Sequence, residues 1–530
     1  MTETTLLLNG KIYTGKPGER ATALVIRDGR IVFVGNIADA CENYGKSATS
    51  LDLGGKTVWP GLIDSHLHLY TLSERLAGVE CNQASLAECL QQVYQKAKQV
   101  NDNSWIIGFN WDQNEWHPAV YGTAAQLDSV SLNHPVLLFA KSLHAVWVNT
   151  AVLHHAGITV NSPDPPGGKI LRDAQGEPAG ILLENAMTLV NKVIPENSPD
   201  QLTQKLQKAQ KYLISLGIIG VHDFDRWESV DALMRLAGSG KLKLRLWKSL
   251  PADSIDTICA RNMREELDFP NCMSPGWIKC FADGALGPQS AAMLEPYENS
   301  DSGGMLLLNS RDIFQIGSEA AGIGWPIAVH AIGDAAVRET LDGLAALRQY
   351  EQEKHLPHLP HRMEHLQLIS PQDQRRLHQL DIIASVQPTH ATSDMEIAQR
   401  HWGSRSLYAY AYNTLEATGA KLIFGSDAPV ESPNPFWGLH AAVTRRRADG
   451  VPGPQGWHSN ERISLQTAFE AYSLNPASIS GKAIPTGRLA PGFLADLIVL
   501  PEDPFTMNPQ DLWSLKPEMT MISGKVEFSN

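Results

Sequence analysis

A chain of 530 residues is long enough to bury a large core and to form more than one domain. Its net charge of −13 at pH 7 argues against a general binder of nucleic acids or anionic membranes, which would carry an excess of basic residues. The six cysteines form no CxxC pair, which favours reduced thiols over a disulfide framework. The sequence shows no secretion-signal pattern and no apolar stretch of the ~18 residues that a membrane helix needs, so we expect a cytoplasmic protein.

The two ends of the chain share one sequence pattern, in which short apolar runs are joined by tight turns. Residues 1–57 contain the dipeptide Asn9-Gly10, which is typical of a hairpin turn. Residues 481–530 repeat the pattern in "GRLAPGFLADLIVL" and "MISGKVEFS". We therefore predict that both ends form one small β-sandwich domain, which the main domain interrupts.

Residues 58–480 alternate short apolar runs with helical patterns, as a parallel sheet or an α/β barrel requires. Eight runs are predicted to be barrel strands: "VWPGLIDSHLH", "GIIGVHDFD", "LRLWKSL", "WIKCFADG", "WPIAVHAIGD", "HRMEHLQ", "IIASVQPTH" and "LIFGSDAPV". The interval after the first run is too long for one crossover helix, so an inserted subdomain is expected over about residues 70–204. The predicted fold is α/β, a (β/α)8 TIM-like barrel with an insertion after its first strand.

Polar residues with metal-binding chemistry fall at the ends of these predicted strands. His66 and His68 stand one residue apart, so their side chains point to the same face of a strand. Later runs carry four further candidates: Lys279, His330, His365 and Asp427. Each alone could be a core histidine, half of an ion pair or a helix cap. Catalytic groups of a TIM barrel lie at the C-terminal ends of its strands, and this shared position favours one joint site.

The motifs around these residues resemble the amidohydrolase superfamily of metal-dependent hydrolases, and in particular its family 3, which includes N-substituted formamide deformylases. The matching stretches run almost from end to end: "PGLIDSHLHL", "FADGALG", "AVHAIGD", "RMEHLQ", "VQPTH", "FGSDAPV" and "GRLAPGFLADLIVL". Two details depart from the family pattern. Ser142-Leu143 precedes His144 where Asp-Gly is more common, and Gln289 stands where an Arg is frequent. The resemblance therefore leaves the substrate open.

The resemblance implies a site for one or two divalent metal ions, and imidazole and carboxylate ligands favour zinc. The implied ligands are His66, His68, Lys279, His330, His365 and Asp427. The first two histidines and the aspartate would hold one ion, and the two later histidines a second. The lysine would be carboxylated, so that its carbamate bridges the ions. Glu184 is an alternative ligand, although its place in the insertion suits a substrate contact better.

The implied reaction is the hydrolysis of a non-peptide carbon–nitrogen bond, in which a metal-bound hydroxide attacks an amide or N-formyl carbonyl. Asp427 would act as general base and then pass the proton to the departing amine. His390 and His144 are candidates for orienting the carbonyl, with ordinary structural roles as the alternative. Predicted substrate contacts are Trp111, Asp112, Glu184 and Gln289, although such a tryptophan more often belongs to a core.

Two other functions stay open at this stage. A mononuclear deaminase of an aromatic amine would use the same barrel, but it would not need the bridging Lys279. A non-catalytic relative would be expected to have lost metal ligands, whereas the full set is present here. No Walker-type loop, no GxGxxG after a strand and no HExxH motif occurs, which disfavours nucleotide-binding enzymes and that class of metalloprotease. The expected partner is a small amide or formamide, and the resemblance suggests a homodimer.

Overall fold

The computed structural model describes residues 4–15, 20–101, 103–114, 116–141, 145–225, 227–479 and 484–530. His144, one of the predicted carbonyl-orienting residues, lies outside these ranges. The chain divides into two compact units, one formed by Met1–Tyr70 with Ala209–Asn530 and the other by Thr71–Lys208. Among the described residues, no helix has the length and apolar character needed to cross a membrane.

The described residues contain 22 strands, numbered along the chain: β1 (Thr4–Tyr13), β2 (Arg20–Arg27), β3 (Arg30–Gly35), β4 (Thr49–Asp52), β5 (Thr57–Pro60), β6 (Leu62–Leu67), β7 (Val79–Glu80), β8 (Ile106–Trp111), β9 (Val136–Ala140), β10 (Ala145–Val148), β11 (Gly168–Arg172), β12 (Pro178–Glu184), β13 (Ile218–Asp223), β14 (Arg245–Pro251), β15 (Met273–Phe281), β16 (Ile327–Ala331), β17 (Arg362–His365), β18 (Ile383–Val386), β19 (Leu422–Phe424), β20 (Leu497–Leu500), β21 (Met519–Ile522) and β22 (Lys525–Ser529).

The α-helices of the described residues are α1 (Ile37–Tyr44), α2 (Leu69–Ala77), α3 (Leu86–Ala97), α4 (Ala124–Asp128), α5 (Thr150–His155), α6 (Met187–Asn191), α7 (Pro199–Ser215), α8 (Val230–Gly238), α9 (Ile255–Ala260), α10 (Met263–Glu266), α11 (Ser310–Gly322), α12 (Asp334–Glu353), α13 (Arg376–Gln379), α14 (Pro388–Ser393), α15 (Met395–Trp402), α16 (Tyr412–Ala417), α17 (Pro435–Thr444), α18 (Leu465–Ala471) and α19 (Leu474–Ser478). Short 3₁₀ turns lie at Gly45–Ser47, Trp227–Ser229, Ala252–Ser254, Gly403–Tyr408, Ser459–Glu461 and Pro509–Ser514.

Eight parallel strands form the barrel, in the order β19-β18-β17-β16-β15-β14-β13-β6. A parallel bridge between Leu67 and Ala428 links the two edges, so the sheet is nearly closed. The strands are buried on both faces, and β13, for example, has no exposed residue. This burial explains why they read as continuous apolar runs in the sequence. Each of the eight strands overlaps one of the eight predicted runs, although β15 begins at Met273, four residues before its run, and this match confirms the α/β TIM-like barrel.

The two ends of the chain meet in one sheet, with the order β22-β21-β20-β5-β1-β2-β3 and with β4 paired to β1. The join is the antiparallel pair of β20 and β5, where Leu497 faces Pro60. Leu7, Leu24 and Val499 belong to the core cluster beneath this sheet. The described strands of the two chain ends thus form a single sheet. Their division into the two layers of a sandwich stays a prediction.

The second unit, Thr71–Lys208, has a sheet of its own, with the order β11-β12-β10-β9-β8-β7. The sequence predicted an insertion over about 70–204. Trp111, Trp116 and Trp147 are buried in a core cluster of this unit, where their rings lie 6.1–6.4 Å apart. This unit therefore has its own hydrophobic core.

Candidate metal centre

The first and last barrel strands are joined by the side chain of Asp64, and this join sets the position of the site. Its Oδ1 accepts hydrogen bonds from the backbone N–H of His66 at 3.1 Å and of Ser426 at 3.0 Å, and its Oδ2 accepts one from Ser426 Oγ at 2.6 Å. Burial raises the pKa of Asp64 to about 7. The N–H of Asp427 in turn donates to the carbonyl of His66 at 2.7 Å. The end of β6 and the segment after β19 are therefore held side by side.

Close backbone contact at this join requires Gly425. A Cβ at this position would lie 2.4 Å from the backbone nitrogen of His66. Asp427 and His365 both have left-handed backbone, with φ of 59° and 75°. Such a conformation costs a non-glycine residue on the order of 1–3 kcal/mol and persists where its surroundings fix it. Two of the predicted ligands are thus held in conformations that the sequence alone does not favour.

A cavity of about 370 Å³ lies at the C-terminal ends of the barrel strands. The residues that line it are His66, His68, Lys279, Phe281, Ala285, Leu286, Gly287, His330, Ile332, His365, Gln367, His390, Asp394, Ile397, Asp427 and Val430. All six predicted metal ligands are in this set, together with the predicted carbonyl-orienting His390. The structure therefore brings these seven side chains together in one cavity of the barrel unit.

Nitrogen and oxygen donors form two groups around the carboxylate of Asp427. His66 and His68 approach Oδ1 through their Nε2 atoms, at 3.5 and 3.3 Å. Oδ2 lies 3.5 Å from Nε2 of His390, which forms the second group with His365 and the same aspartate. Within each group the donor atoms lie within 4.8 Å of one another. Because divalent ions bind imidazole and carboxylate donors at ~2.0–2.2 Å, each group fits such an ion.

Burial keeps three of the imidazoles neutral, which is the form that binds metal ions. Burial, together with the nearby Lys279 ammonium, lowers the pKa of His66 to about 4 and that of His330 to about 3. Burial and the neighbouring His330 hold the pKa of His365 well below its ordinary value. These nitrogens can therefore offer lone pairs at neutral pH.

His68 and His390 are protonated next to the carboxylate in the absence of a metal ion. Burial lowers the pKa of His68, but hydrogen bonds to Asp225 and Asp427 outweigh it and raise the pKa to about 10. The pKa of His390 rises to about 9, because its pairing with the carboxylate of Asp427, 3.5 Å from Nε2, outweighs burial in the same way. Burial raises the pKa of Asp427, but its pairing with these two histidines holds it well below its ordinary value. A divalent ion would take the place of these protons.

Lys279 carries a buried polar atom in the cavity that has no hydrogen-bond partner among the described residues. Its side chain is 5% exposed, and the atom is Nζ. The ammonium lies 4.9 Å from the ring centroid of Phe224 and 5.1 Å from that of Phe281. Burial lowers the pKa of Lys279 to about 8. This buried amine lies beside five imidazoles and a carboxylate. The described protein atoms alone do not explain why its nitrogen is left without a hydrogen bond.

Comparison with known proteins decides the family. The amidohydrolase family matches residues 50–528. This chain belongs to the amidohydrolase family. YtcJ of Bacillus subtilis (strain 168) is 32% identical over 532 residues, which cover 98% of each chain. N-substituted formamide deformylase of Arthrobacter pascens is 26% identical over 525 residues, which cover 96% of this chain and 95% of that one. The crystal structure of an uncharacterized metal-dependent hydrolase from Pyrococcus furiosus has a TM-score of 0.77 at 29% identity and covers 95% of this chain and 100% of that chain.

Membership of the amidohydrolase family confirms the resemblance seen in the sequence, and the donor groups of the site suit a divalent metal ion. One assignment within the site differs in detail from the expected pairing. His365 forms a donor group with His390, whereas Nε2 of His330 lies 3.0 Å from the carbonyl oxygen of Gly284. The ligand role of His330 in this amidohydrolase stays a prediction.

The sequence analysis did not predict the residues that contact Nδ1 of three of the histidines. Nδ1 of His66 lies 2.6 Å from Glu364 Oε2, and Nδ1 of His365 lies 2.9 Å from Gln387 Oε1. Nδ1 of His68 lies 3.5 Å from Asp225 Oδ1. Glu364 and Gln387 both stand in matched motifs of this amidohydrolase, "RMEHLQ" and "VQPTH", and Asp225 closes the predicted run "GIIGVHDFD", so the sequence marked their places but not their partners.

The predicted substrate contacts fall in two places, and their roles stay predictions. Trp111, Asp112 and Glu184 belong to the second unit of this amidohydrolase. There Trp111 is 1% exposed, its indole N–H donates to the carbonyl of Leu138 at 2.8 Å, and Asp112 accepts from the N–H of Asn114 at 2.9 Å. Glu184 has a left-handed φ of 50° at the end of β12. In the barrel unit, Gln289 follows β15 with a left-handed φ of 53°.

Proposed function

We propose that this amidohydrolase uses a divalent metal to hydrolyse the carbon–nitrogen bond of a small amide or N-formyl compound that carries an apolar substituent. One observation carries the proposal. One cavity combines the donors of the two groups around Asp427, most of them buried, with walls of apolar side chains. The likeness to N-substituted formamide deformylase over nearly the whole chain supports the choice of bond.

The metal-binding part of the proposal uses the two donor groups. His66, His68 and Asp427 would hold one ion. A second would be held next to it, with candidates in His330, His365, His390 and Lys279. A bound zinc ion would supply a Lewis acid that polarises the carbonyl and lowers the pKa of water. The buried, neutral imidazoles of His66, His330 and His365 suit such an ion.

Asp427 is the proposed proton carrier. Its carboxylate is ionised at neutral pH, because His68 and His390 hold its pKa well below the ordinary value. It can therefore accept a proton from the attacking water and release the same proton to the departing amine nitrogen. The left-handed backbone of Asp427 and the hydrogen bond of its N–H to His66 fix the direction of the carboxylate.

Lys279 is proposed to be carboxylated. Because burial lowers its pKa to about 8, roughly a tenth of this lysine is the neutral amine at pH 7, and reaction of that fraction draws on the rest. The amine nitrogen attacks the carbon of carbon dioxide, so that an N–C bond forms while one C=O π bond opens to a negatively charged oxygen. The nitrogen then gives up one proton to water. The product is a carbamate. Its two oxygens could accept hydrogen bonds and bind metal ions, whereas an ammonium can only donate hydrogen bonds. The missing hydrogen-bond partner of Nζ among the described residues supports this step.

Apolar walls are the basis for the proposed substrate class. The apolar lining residues are Phe281, Ala285, Leu286, Ile332, Ile397 and Val430. Phe281 and Val430 are 49% and 66% exposed, so they offer open apolar surface. Among the described lining residues there is no arginine that could pair with a substrate carboxylate. An uncharged apolar substituent therefore fits this cavity better than a charged one.

The test is a matched series of N-formyl amines and acyl amides with neutral N-substituents of growing size. Each neutral compound is compared with an analogue that carries a carboxylate. We expect formate, or the free acid, and amine in equal amounts, with kcat/KM ~10-fold or more lower for the charged analogues. Ammonia without formate or acid would contradict the proposal and favour the deaminase instead.

The apolar wall can be tested separately with Val430→Asp. A charge at this position would lower kcat/KM for the neutral compounds and leave the metal content unchanged. Val526→Asp is the matched control, because Val526 is 50% exposed on β22 and does not line the cavity. Equal activity of the two variants would remove Val430 from the substrate site.

We also propose a cellular location and an oligomeric state for this protein. The six free cysteines of the structure agree with a reducing compartment, which supports a cytoplasmic location. The homodimer expected from the resemblance is retained as a proposal. Light scattering of the purified chain would decide between a dimer and a monomer.

A further inference from the structure

A buried ion pair lies next to the donor groups, on the strand that carries His365. Arg362 and Glu364 are both fully buried in β17, and Nε of the arginine lies 2.5 Å from Oε1 of the glutamate. Residues two apart on a strand point to the same side. The pair therefore occupies one side of β17, while His365 ends the strand and lines the cavity.

The guanidinium of Arg362 makes contacts to three further barrel strands. Nη1 lies 2.8 Å from Nδ1 of His222 on β13. Nη2 donates to the carbonyl of Ser65 on β6 at 2.7 Å and to the hydroxyl of Ser385 on β18 at 2.5 Å. The same Nη2 lies 3.0 Å from Oε2 of Glu364. The carboxylate of Glu364 is thus held in place by an arginine that contacts with three further residues fix in position.

A buried ion pair is weak evidence for stability, because removing two charges from water is expensive. Apolar residues of similar volume often stabilise a protein as well or better. The pair is therefore better explained by something that only a fixed carboxylate does. The contact between Glu364 Oε2 and Nδ1 of His66, at 2.6 Å, supplies this explanation.

An ionised carboxylate can only accept hydrogen bonds, so Nδ1 of His66 must carry the proton. A neutral imidazole has one proton, and Nε2 is then left with a free lone pair. That nitrogen is the one that faces Asp427, at 3.5 Å. The ring of His66 is also stacked on Phe224, with centroids 4.4 Å apart, so its plane is fixed as well.

We propose that Glu364, held by Arg362, is a positioning residue that fixes His66 in the tautomer and orientation needed to bind a metal ion. The inference rests on the proposed metal-dependent function and deepens it. Without Glu364, the ring could carry its proton on Nε2, which would then point at Asp427 and could not act as a ligand. Partners of this kind typically raise metal affinity by ~10–100-fold.

The chain contains a matched control triad with the same chemistry. Arg348, Glu351 and His361 are buried and joined by contacts of 2.8 Å from Nη1 to Oε2 and from Nε2 to Oε1. The other ring nitrogen of His361 accepts the N–H of Ile327 at 3.0 Å. None of these residues lines the cavity. Breaking this triad should affect stability alone.

The experiment compares zinc affinity of the full chain and of Glu364→Gln and Glu351→Gln, by competition with a chelator of known affinity after metal removal. Glutamine keeps the shape but can donate to Nδ1, and it leaves Arg362 without its charge partner. We expect Glu364→Gln to bind zinc ~10–100-fold more weakly. Glu351→Gln should bind zinc like the unaltered chain, even where both variants lower the unfolding temperature. With saturating zinc, kcat of Glu364→Gln should recover while KM stays unchanged.

Two results would overturn the inference: zinc affinity of Glu364→Gln equal to that of the unaltered chain, or an equal loss in Glu351→Gln. If Glu364→Gln does not fold, Glu364→Asp takes its place, because it keeps the charge for Arg362 and only withdraws the carboxylate from His66. Unchanged affinity in that variant would also overturn the inference. An unaltered chain that binds no zinc would instead refute the proposed function, so the two failures are distinguishable.

Discussion

At the scale of single residues, Asp427 connects the two donor groups of the cavity. Its two oxygens lie 3.3–3.5 Å from three imidazole nitrogens. We predict that Asp427→Asn lowers kcat by ~10²–10⁴-fold or more, because both a ligand and the proton carrier are lost. The unfolding temperatures of the two metal-free proteins should differ little, so that any difference with zinc present reports the lost ligand.

Asp503→Asn is the control for this substitution. Asp503 is a buried aspartate in the barrel-unit part of the chain, where it accepts a hydrogen bond from the hydroxyl of Tyr13 at 2.8 Å. It does not line the cavity, so this variant should keep its turnover. Retained turnover in Asp427→Asn would remove the residue from the reaction.

Gly425 is the residue-scale test of the strand join. In Gly425→Ala the new Cβ would lie 2.4 Å from the backbone nitrogen of His66, and backbone atoms cannot move aside as a side chain can. We predict that the free energy of unfolding falls by about 1–3 kcal/mol and that the affinity for metal decreases. Gly322→Ala is the control, since nothing lies within 4 Å of the new Cβ. Chemical denaturation measures the stability of both variants, and equal stability would contradict this account of the join.

At the scale of elements, α12 is tied to the segment before β17 by the triad of Arg348, Glu351 and His361. Burial raises the pKa of Glu351, but the contacts with His361 and Arg348 outweigh it and lower the pKa below its ordinary value of 4.5. A carboxyl with a lowered folded-state pKa stabilises the fold above its unfolded-state pKa. That contribution is lost as the pH falls through the folded-state pKa.

The gap in stability between the unaltered chain and Glu351→Gln should therefore be constant above about pH 5 and narrow below pH 4.5. Urea unfolding at a series of pH values measures this gap. A gap that stays constant down to the lowest pH would show that the charge of Glu351 contributes nothing.

The barrel strands and their polar ends could be predicted from the sequence, because a parallel strand buried on both faces reads as one apolar run. The same reasoning placed Lys279, His330 and Asp427 at strand ends. The partners of the histidines could not be predicted. Glu364 meets His66 across 298 positions of the chain, and that contact depends on the order and register of the strands. Likewise, only the folded chain groups His390 with His365.

At the scale of the whole molecule, the donors of one site come from distant parts of the chain, from His66 to Asp427. A ligand that binds only the folded chain stabilises it by mass action. We predict that removing metal with a chelator lowers the unfolding temperature and that zinc restores it. Glu351→Gln should show the same shift, whereas Glu364→Gln should need more zinc for the same recovery. An unfolding temperature that does not respond to chelator or zinc would contradict this coupling.

Metal content per chain, by elemental mass spectrometry on protein purified without chelator, tests the central claim most directly. We predict between about one and two divalent ions per chain, a content near two if Lys279 bridges a pair of ions, and a clear loss in His68→Ala. His378→Ala is the control, because Nδ1 of His378 lies 3.0 Å from the carbonyl oxygen of Gly419 and the residue does not line the cavity. No bound metal in the unaltered chain, even after reconstitution with zinc, would contradict the account.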